Sequence, residues 1–63
     1  MKKNSRIFVA GHRGLVGSAI WKSLENKGYS YLIGRTHKEL DLEDPAAVRE
    51  FFDREKPEYV FLA

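Results

Sequence analysis

Gly11, Gly14 and Gly17 stand in a G-x-x-G-x-x-G spacing directly behind the apolar run Ile7-Phe8-Val9-Ala10. No other stretch restricts the possible folds as strongly. Four consecutive apolar residues suit a parallel strand covered on both faces. From Gly14 the period becomes helical: Val16, Ala19, Ile20, Ser23, Leu24 and Lys27 fall on one stripe, with Trp21 beside it. A strand, a tight turn and a helix start therefore follow one another without a linker. Glycines at such a junction let the backbone approach an anion closely, and the helix's first N–H groups and dipole face it. The spacing predicts a phosphate site.

The rest of the chain extends this unit. Gly28 suits the position just past a helix end. Tyr29 to Gly34 reads as a second strand, which completes a parallel βαβ unit. Leu40-Asp41-Leu42 reads as a brief third strand at the sheet edge. Asp44-Pro45 opens a second helix with a capping carboxylate and a proline at its first position. Val48, Phe51, Phe52 and Glu55 form the inner stripe of that helix, Pro57 ends it, and Tyr59 to Ala63 is the last strand. The predicted order is β-α-β-β-α-β, the N-terminal mononucleotide-binding half of a Rossmann-type doubly wound parallel sheet. Gly11, Arg35, Leu42 and Ala63 fall at or near the carboxyl ends of the strands, where such folds bind ligands.

Composition narrows the function classes. Sixty-three residues allow one small domain, and a net charge of +2 is too small to point to nucleic acid. Without cysteine the chain has no disulfide or thiolate metal site, and no His or carboxylate set has ligand spacing. No apolar run approaches the roughly 20 residues of a membrane span or the length of a secretory signal. A cytoplasmic protein is expected. The apolar run Tyr59 to Ala63 has no turn behind it, which leads us to expect the N-terminal portion of a longer chain.

The end of the second strand bears on which nucleotide binds. NAD sites of this kind place Asp or Glu about 20 residues beyond the glycines to hold the ribose 2′-hydroxyl. Here Arg35 stands 18 residues after Gly17. Arginine accepts no hydrogen bond, but its planar fork suits phosphate. Arg13, inside the turn, can reach the same side. Two arginines argue for NADP(H), the alternative being two solvated charges. Asp41 and Leu42 are placed either to meet adenine or as a solvated edge. His12 is expected to project from the turn and to contact the ligand through its backbone. His37 and Lys38 read as surface residues. Tyr29, Tyr31 and Tyr59 are followed four positions later by Ile33, Arg35 and Ala63, so no Tyr-x-x-x-Lys proton relay lies within the chain. No catalytic residue is assigned.

The run Gly11-His12-Arg13-Gly14-Leu15-Val16-Gly17-Ser18-Ala19-Ile20 closely resembles the start of the GDP-L-fucose synthase family. Those enzymes are NADPH-dependent GDP-4-keto-6-deoxy-D-mannose 3,5-epimerase/4-reductases of the extended short-chain dehydrogenase/reductase superfamily. Arg35-Thr36, Glu39-Leu40-Asp41-Leu42 and Val48 to Phe52 resemble its continuation. The resemblance implies that Gly11, His12, Arg13, Gly14, Leu15, Val16 and Gly17 bind the pyrophosphate, and that Arg13 and Arg35 hold the 2′-phosphate. Asp41 and Leu42 would lie near adenine, with Leu62 and Ala63 beneath the adenosine half. It also implies a nucleotide-sugar substrate, homodimerisation and a Ser/Tyr/Lys catalytic set, all through segments beyond Ala63. Two alternatives stay open: an epimerase/reductase acting on another nucleotide sugar, and a non-catalytic NADP-sensing module.

Overall fold

The computed structural model describes all 63 residues. Its elements are β1 (Ile7–Ala10), α1 (Leu15–Asn26), β2 (Leu32–Arg35), α2 (Pro45–Glu55) and β3 (Tyr59–Leu62). The three strands form one parallel sheet in the order β2-β1-β3. The central strand is the apolar run behind the glycines, and all four of its residues are buried. Ala10 lies in register with Arg35 on one side and Leu62 on the other, so the three strands finish at one level.

Strand alternation divides the core in two. Phe8 and Ala10 pack with Ile33, Leu40 and Phe51, backed by Ala47, Val48 and Phe52 of α2. Ile7 and Val9 pack with Leu24, backed by Ile20 and Trp21 of α1. The helices thus cover opposite faces of the sheet, the doubly wound arrangement expected from the sequence. On the α2 face, the Phe8 and Phe51 rings lie 4.7 Å apart, and Phe52 meets Phe8 edge-on at 6.2 Å.

The helix boundaries follow local chemistry. At the start of α2, the Asp44 carboxylate accepts the amides of Ala46 and Ala47 at 3.1 and 3.2 Å, with Pro45 as the first helical residue. At the end of α1, Gly28 takes φ +88°, its amide donates to the Glu25 carbonyl and the Tyr29 amide donates to that of Leu24. This is a Schellman closure, with Tyr29 packed on the cluster that contains Leu24.

Three expectations are corrected. No strand forms at Leu40-Asp41-Leu42, so the order is β-α-β-α-β. Leu40 turns into the α2-side core, while Asp41 closes a turn, its side chain accepting the Glu43 amide at 2.9 Å and its carbonyl that of Asp44 at 3.1 Å. The second strand spans Leu32–Arg35 rather than starting at Tyr29. The Tyr29 amide closes the helix and that of Ser30 donates to the Lys3 carbonyl, so sheet pairing begins later. Finally, α1 is rotated from the expected stripe. Gly17, Ile20, Trp21 and Leu24 face the sheet, whereas Val16, Ala19, Ser23 and Lys27 are exposed. Gly17 sets this phase, because a Cβ there would collide with the Gly11 carbonyl.

Candidate functional site

The glycine turn owes its shape to two backbone features. Gly11 has φ +72°, a conformation that disfavours other residues, and its carbonyl accepts the Gly14 amide at 2.9 Å. Gly14 then takes extended geometry as the N-cap of α1, and its carbonyl accepts the Ser18 amide at 2.8 Å to start the helix. No side chain caps this start. The contrast with α2, whose first amides are held by Asp44, is the chemical signature of the site. The leading amides of α1 remain available to an external acceptor, and the helix dipole favours an anionic one.

A cleft of about 420 Å³ opens beside the turn, at the carboxyl ends of the strands. Gly11, His12, Arg13 and Gly14 line it from the first junction, Arg35 from the second, and Asp41, Leu42, Leu62 and Ala63 from the far side. These residues lie far apart in the chain, and the parallel register brings them together. Leu15, Val16 and Gly17 do not line the cleft. Leu15 is 90% exposed at the helix start, Val16 also faces solvent, and Gly17 is buried behind the turn. Ala63 runs close against the first glycine: its amide donates to Ala10, and a Cβ on Gly11 would meet its carbonyl oxygen at 3.3 Å. Phe8, Ala10 and Leu40 form part of the apolar floor, and Thr36, His37 and Glu43 also line the cleft.

Two arginines, Arg13 and Arg35, and two carboxylates, Asp41 and Glu43, line the cleft. Arg13 is exposed and takes part in no ion pair. Arg35 is more constrained. Its Nη1 donates to the Gly34 carbonyl at 2.8 Å, its Nη2 lies 3.7 Å from Glu55 Oε2, and its guanidinium sits 5.2 Å from the Phe51 ring centre. The next residues form a reciprocal box. The Thr36 amide donates to Glu39 Oε1 at 2.7 Å, and the Glu39 amide to Thr36 Oγ1 at 3.3 Å. The Thr36 amide holds the Glu39 carboxyl below its ordinary value, with the Thr36 hydroxyl and the charges of Arg35 and Arg13 adding to the effect. This box fixes the chain leaving Arg35, and its T-x-x-E spacing was readable in the sequence.

His12 departs from expectation. Its ring does not project from the turn. It lies over Gly34, where a Cβ would come within 2.6 Å of the imidazole, and 5.4 Å from the Trp21 ring. The imidazole is a wedge between β2 and α1, and its buried Nδ1 has no hydrogen-bond partner. Asp41 and Leu42 reach the cleft from a turn rather than a strand, and both are exposed. No group of three or more His, Asp or Glu side chains is placed to hold a metal ion, and no helix is long and apolar enough to cross a membrane.

The model of the family described as "NAD dependent epimerase/dehydratase family" matches residues 7–63. The chain belongs to this family. Among curated relatives, GDP-L-fucose synthase 1 of Arabidopsis thaliana is 57% identical over 61 residues, covering 97% of this chain and 19% of that protein. Among solved structures, a GDP-D-glycero-L-gluco-heptose synthase from Campylobacter jejuni, determined in the presence of NADPH, is 48% identical with a TM-score of 0.97. That match covers all of this chain and 18% of the other. A GDP-mannoheptose C4 reductase from Campylobacter jejuni with NADP bound is also 48% identical, with a TM-score of 0.96, covering 100% of this chain and 20% of that one. The chain spans about a fifth of the length of the relatives it matches.

Proposed function

We propose that residues 1–63 form the N-terminal part of the NADP-binding domain of a cytoplasmic GDP-sugar epimerase/reductase. The observation that carries this reading is that Gly14, the N-cap of an α1 start with no side-chain cap, and two arginines line one cleft. The amides at the start of α1 would hold the pyrophosphate, with Gly11 and Gly14 keeping side chains out of its path. Arg13 and Arg35 would hold the 2′-phosphate, through forks that suit a tetrahedral dianion. Asp41 and Leu42 would border adenine, with Leu62 and Ala63 beneath the adenosine half. The relatives' cofactors and GDP-linked sugars support both halves of the proposal.

Within this reading these residues bind and orient. When bound, the cofactor supplies the hydride for reduction of a keto sugar. The residues of this chain fix its adenosine end, and exclude water from the apolar floor beneath it. Proton transfer belongs to segments beyond Ala63, as do the sugar-nucleotide pocket and a homodimer interface. The substrate we propose is GDP-4-keto-6-deoxy-D-mannose, converted to GDP-L-fucose. The GDP-heptose enzymes among the structural relatives favour a second reading, in which the sugar is a GDP-linked heptose. Turnover of the full-length protein with NADPH and each sugar separates the two.

The cofactor assignment has its own test. Arg35→Glu in the full-length protein is expected to weaken NADPH about ten- to hundredfold, the worth of one or two charge-assisted hydrogen bonds, and to change NADH little. Equal losses for both cofactors in a binding titration would sink the 2′-phosphate assignment.

A further inference from the structure

We propose that Glu55 limits the preference for the phosphorylated dinucleotide by competing with the 2′-phosphate for Arg35. The inference rests on the 2′-phosphate reading above and adds a specificity-determining residue outside the cleft.

Glu55 is the last residue of α2, where the helix dipole disfavours a carboxylate. Its side chain is nevertheless only 22% exposed, and both of its cationic neighbours approach one oxygen. Arg35 Nη2 stands 3.7 Å and Arg54 Nε 3.6 Å from Oε2. The carboxylate is thus held against the edge of the sheet by two arginines. One of them is the arginine that lines the cleft.

Arg35 lies between two depressions. One is the cleft with Arg13 and the glycine turn, and the other is bordered by Glu39, Glu50 and Arg54. The contact to Glu55 ties the guanidinium to a carboxylate that lies outside the cleft. A phosphate taking the fork by two nitrogens requires Nη2 to leave the carboxylate. That exchange is favourable. The ion pair is longer than a hydrogen bond and partly exposed, a class that contributes little, whereas a bidentate bond to phosphate is short and charge-assisted. Glu55 is not stranded by the exchange, because Arg54 remains beside the same oxygen.

The alternative role for Glu55, orienting Arg35 for the phosphate, has less support. The Gly34 carbonyl already fixes one edge of the guanidinium and the Phe51 ring supports one face. Removing the Glu55 charge leaves both contacts in place. It also removes a negative charge from the neighbourhood of a dianion, so release of the fork and relief of repulsion act in the same direction.

The test is a binding titration of the full-length protein with NADPH and NADH. Glu55→Gln is expected to tighten NADPH roughly two- to fivefold and to leave NADH unchanged, the gain shrinking with added salt. Glu55→Ala should give the same sign. In an Arg35→Ala background the gain should vanish. Weaker NADPH binding by Glu55→Gln, or an equal change for both cofactors, would overturn the proposal. Arg35→Ala alone separates the two levels of argument. If it leaves the NADPH preference intact, the 2′-phosphate reading falls and the competition falls with it. If it abolishes the preference while Glu55→Gln brings no gain, only the competition is wrong.

Discussion

Gly14 and Gly17 belong to one motif but face different constraints. At Gly14 a Cβ would meet only the Gly11 carbonyl, at 3.3 Å, and the backbone is in an ordinary extended conformation. At Gly17 a Cβ would drive into the Gly11 carbonyl and reach the His12 Cα. Gly14→Val in the full-length protein is therefore expected to abolish NADPH binding with little change in the thermal midpoint. Gly17→Ala should lower the midpoint, through an overpacking cost on the order of 1–3 kcal/mol. An unchanged NADPH dissociation constant for Gly14→Val would remove the pyrophosphate assignment. His12 and Gly34 form a second constrained pair. The glycine leaves the space that the imidazole fills, so neither residue is explained alone. The sequence reading missed this pair because their positions, 22 apart, meet only once β2 lies beside β1.

Among the elements, those with local signals were legible before the fold was known. The central strand, the Asp44-Pro45 start of α2 and the Gly28 closure of α1 all agree with expectation, because each depends on residues within a few positions. The phase of α1 was not legible from apolar residues alone. Its inner face is centred on a glycine, which a hydrophobic count ignores, and stepping from Gly17 by three, four and seven recovers Ile20, Trp21 and Leu24. The false strand at Leu40 to Leu42 arose from an apolar-polar-apolar pattern that also fits a turn with one anchored leucine. The Thr36–Glu39 box supplies a prediction at this scale. The carboxyl is held below its ordinary value, so its contribution to the turn is complete above that value and is lost as pH falls through the lowered one. The Thr36 amide resonance should titrate with Glu39 in acid, and Glu39→Gln should flatten that titration. An acid titration of the Thr36 amide surviving in the variant would exclude Glu39 as its source.

Taken whole, the molecule is a thin three-layer stack. Only 10 of 63 residues are buried, and the outer strand β3 leaves apolar side chains open. Val60 and Leu62 of β3 are 40% and 79% exposed, and the outward part of α1 borders an open groove of about 460 Å³ with Tyr29 and Phe61. So small a core leaves conformational entropy close to balance with burial. The 63 residues in isolation are expected to melt broadly and to associate as concentration rises. A sharp, concentration-independent transition by calorimetry would contradict that. The cleft was legible at this scale because Gly11, Arg35, Leu62 and Ala63 sit at or beside strand ends, and a parallel sheet places those ends together. The Arg35–Glu55 pair was not, since it joins a strand end to a helix end across the sheet edge.

The difference between the two helix starts has a further consequence. The first turn of α2 is completed by its own Asp44 side chain, while that of α1 has no side-chain cap. On the pyrophosphate reading proposed above, an anion at the turn is then the missing part of a secondary-structure element as well as a ligand. Order in α1 and occupancy of the cleft become linked quantities, each raising the other by mass action. On that reading, the stability of the glycine-turn helix is set in part from outside, by the concentration of the dinucleotide.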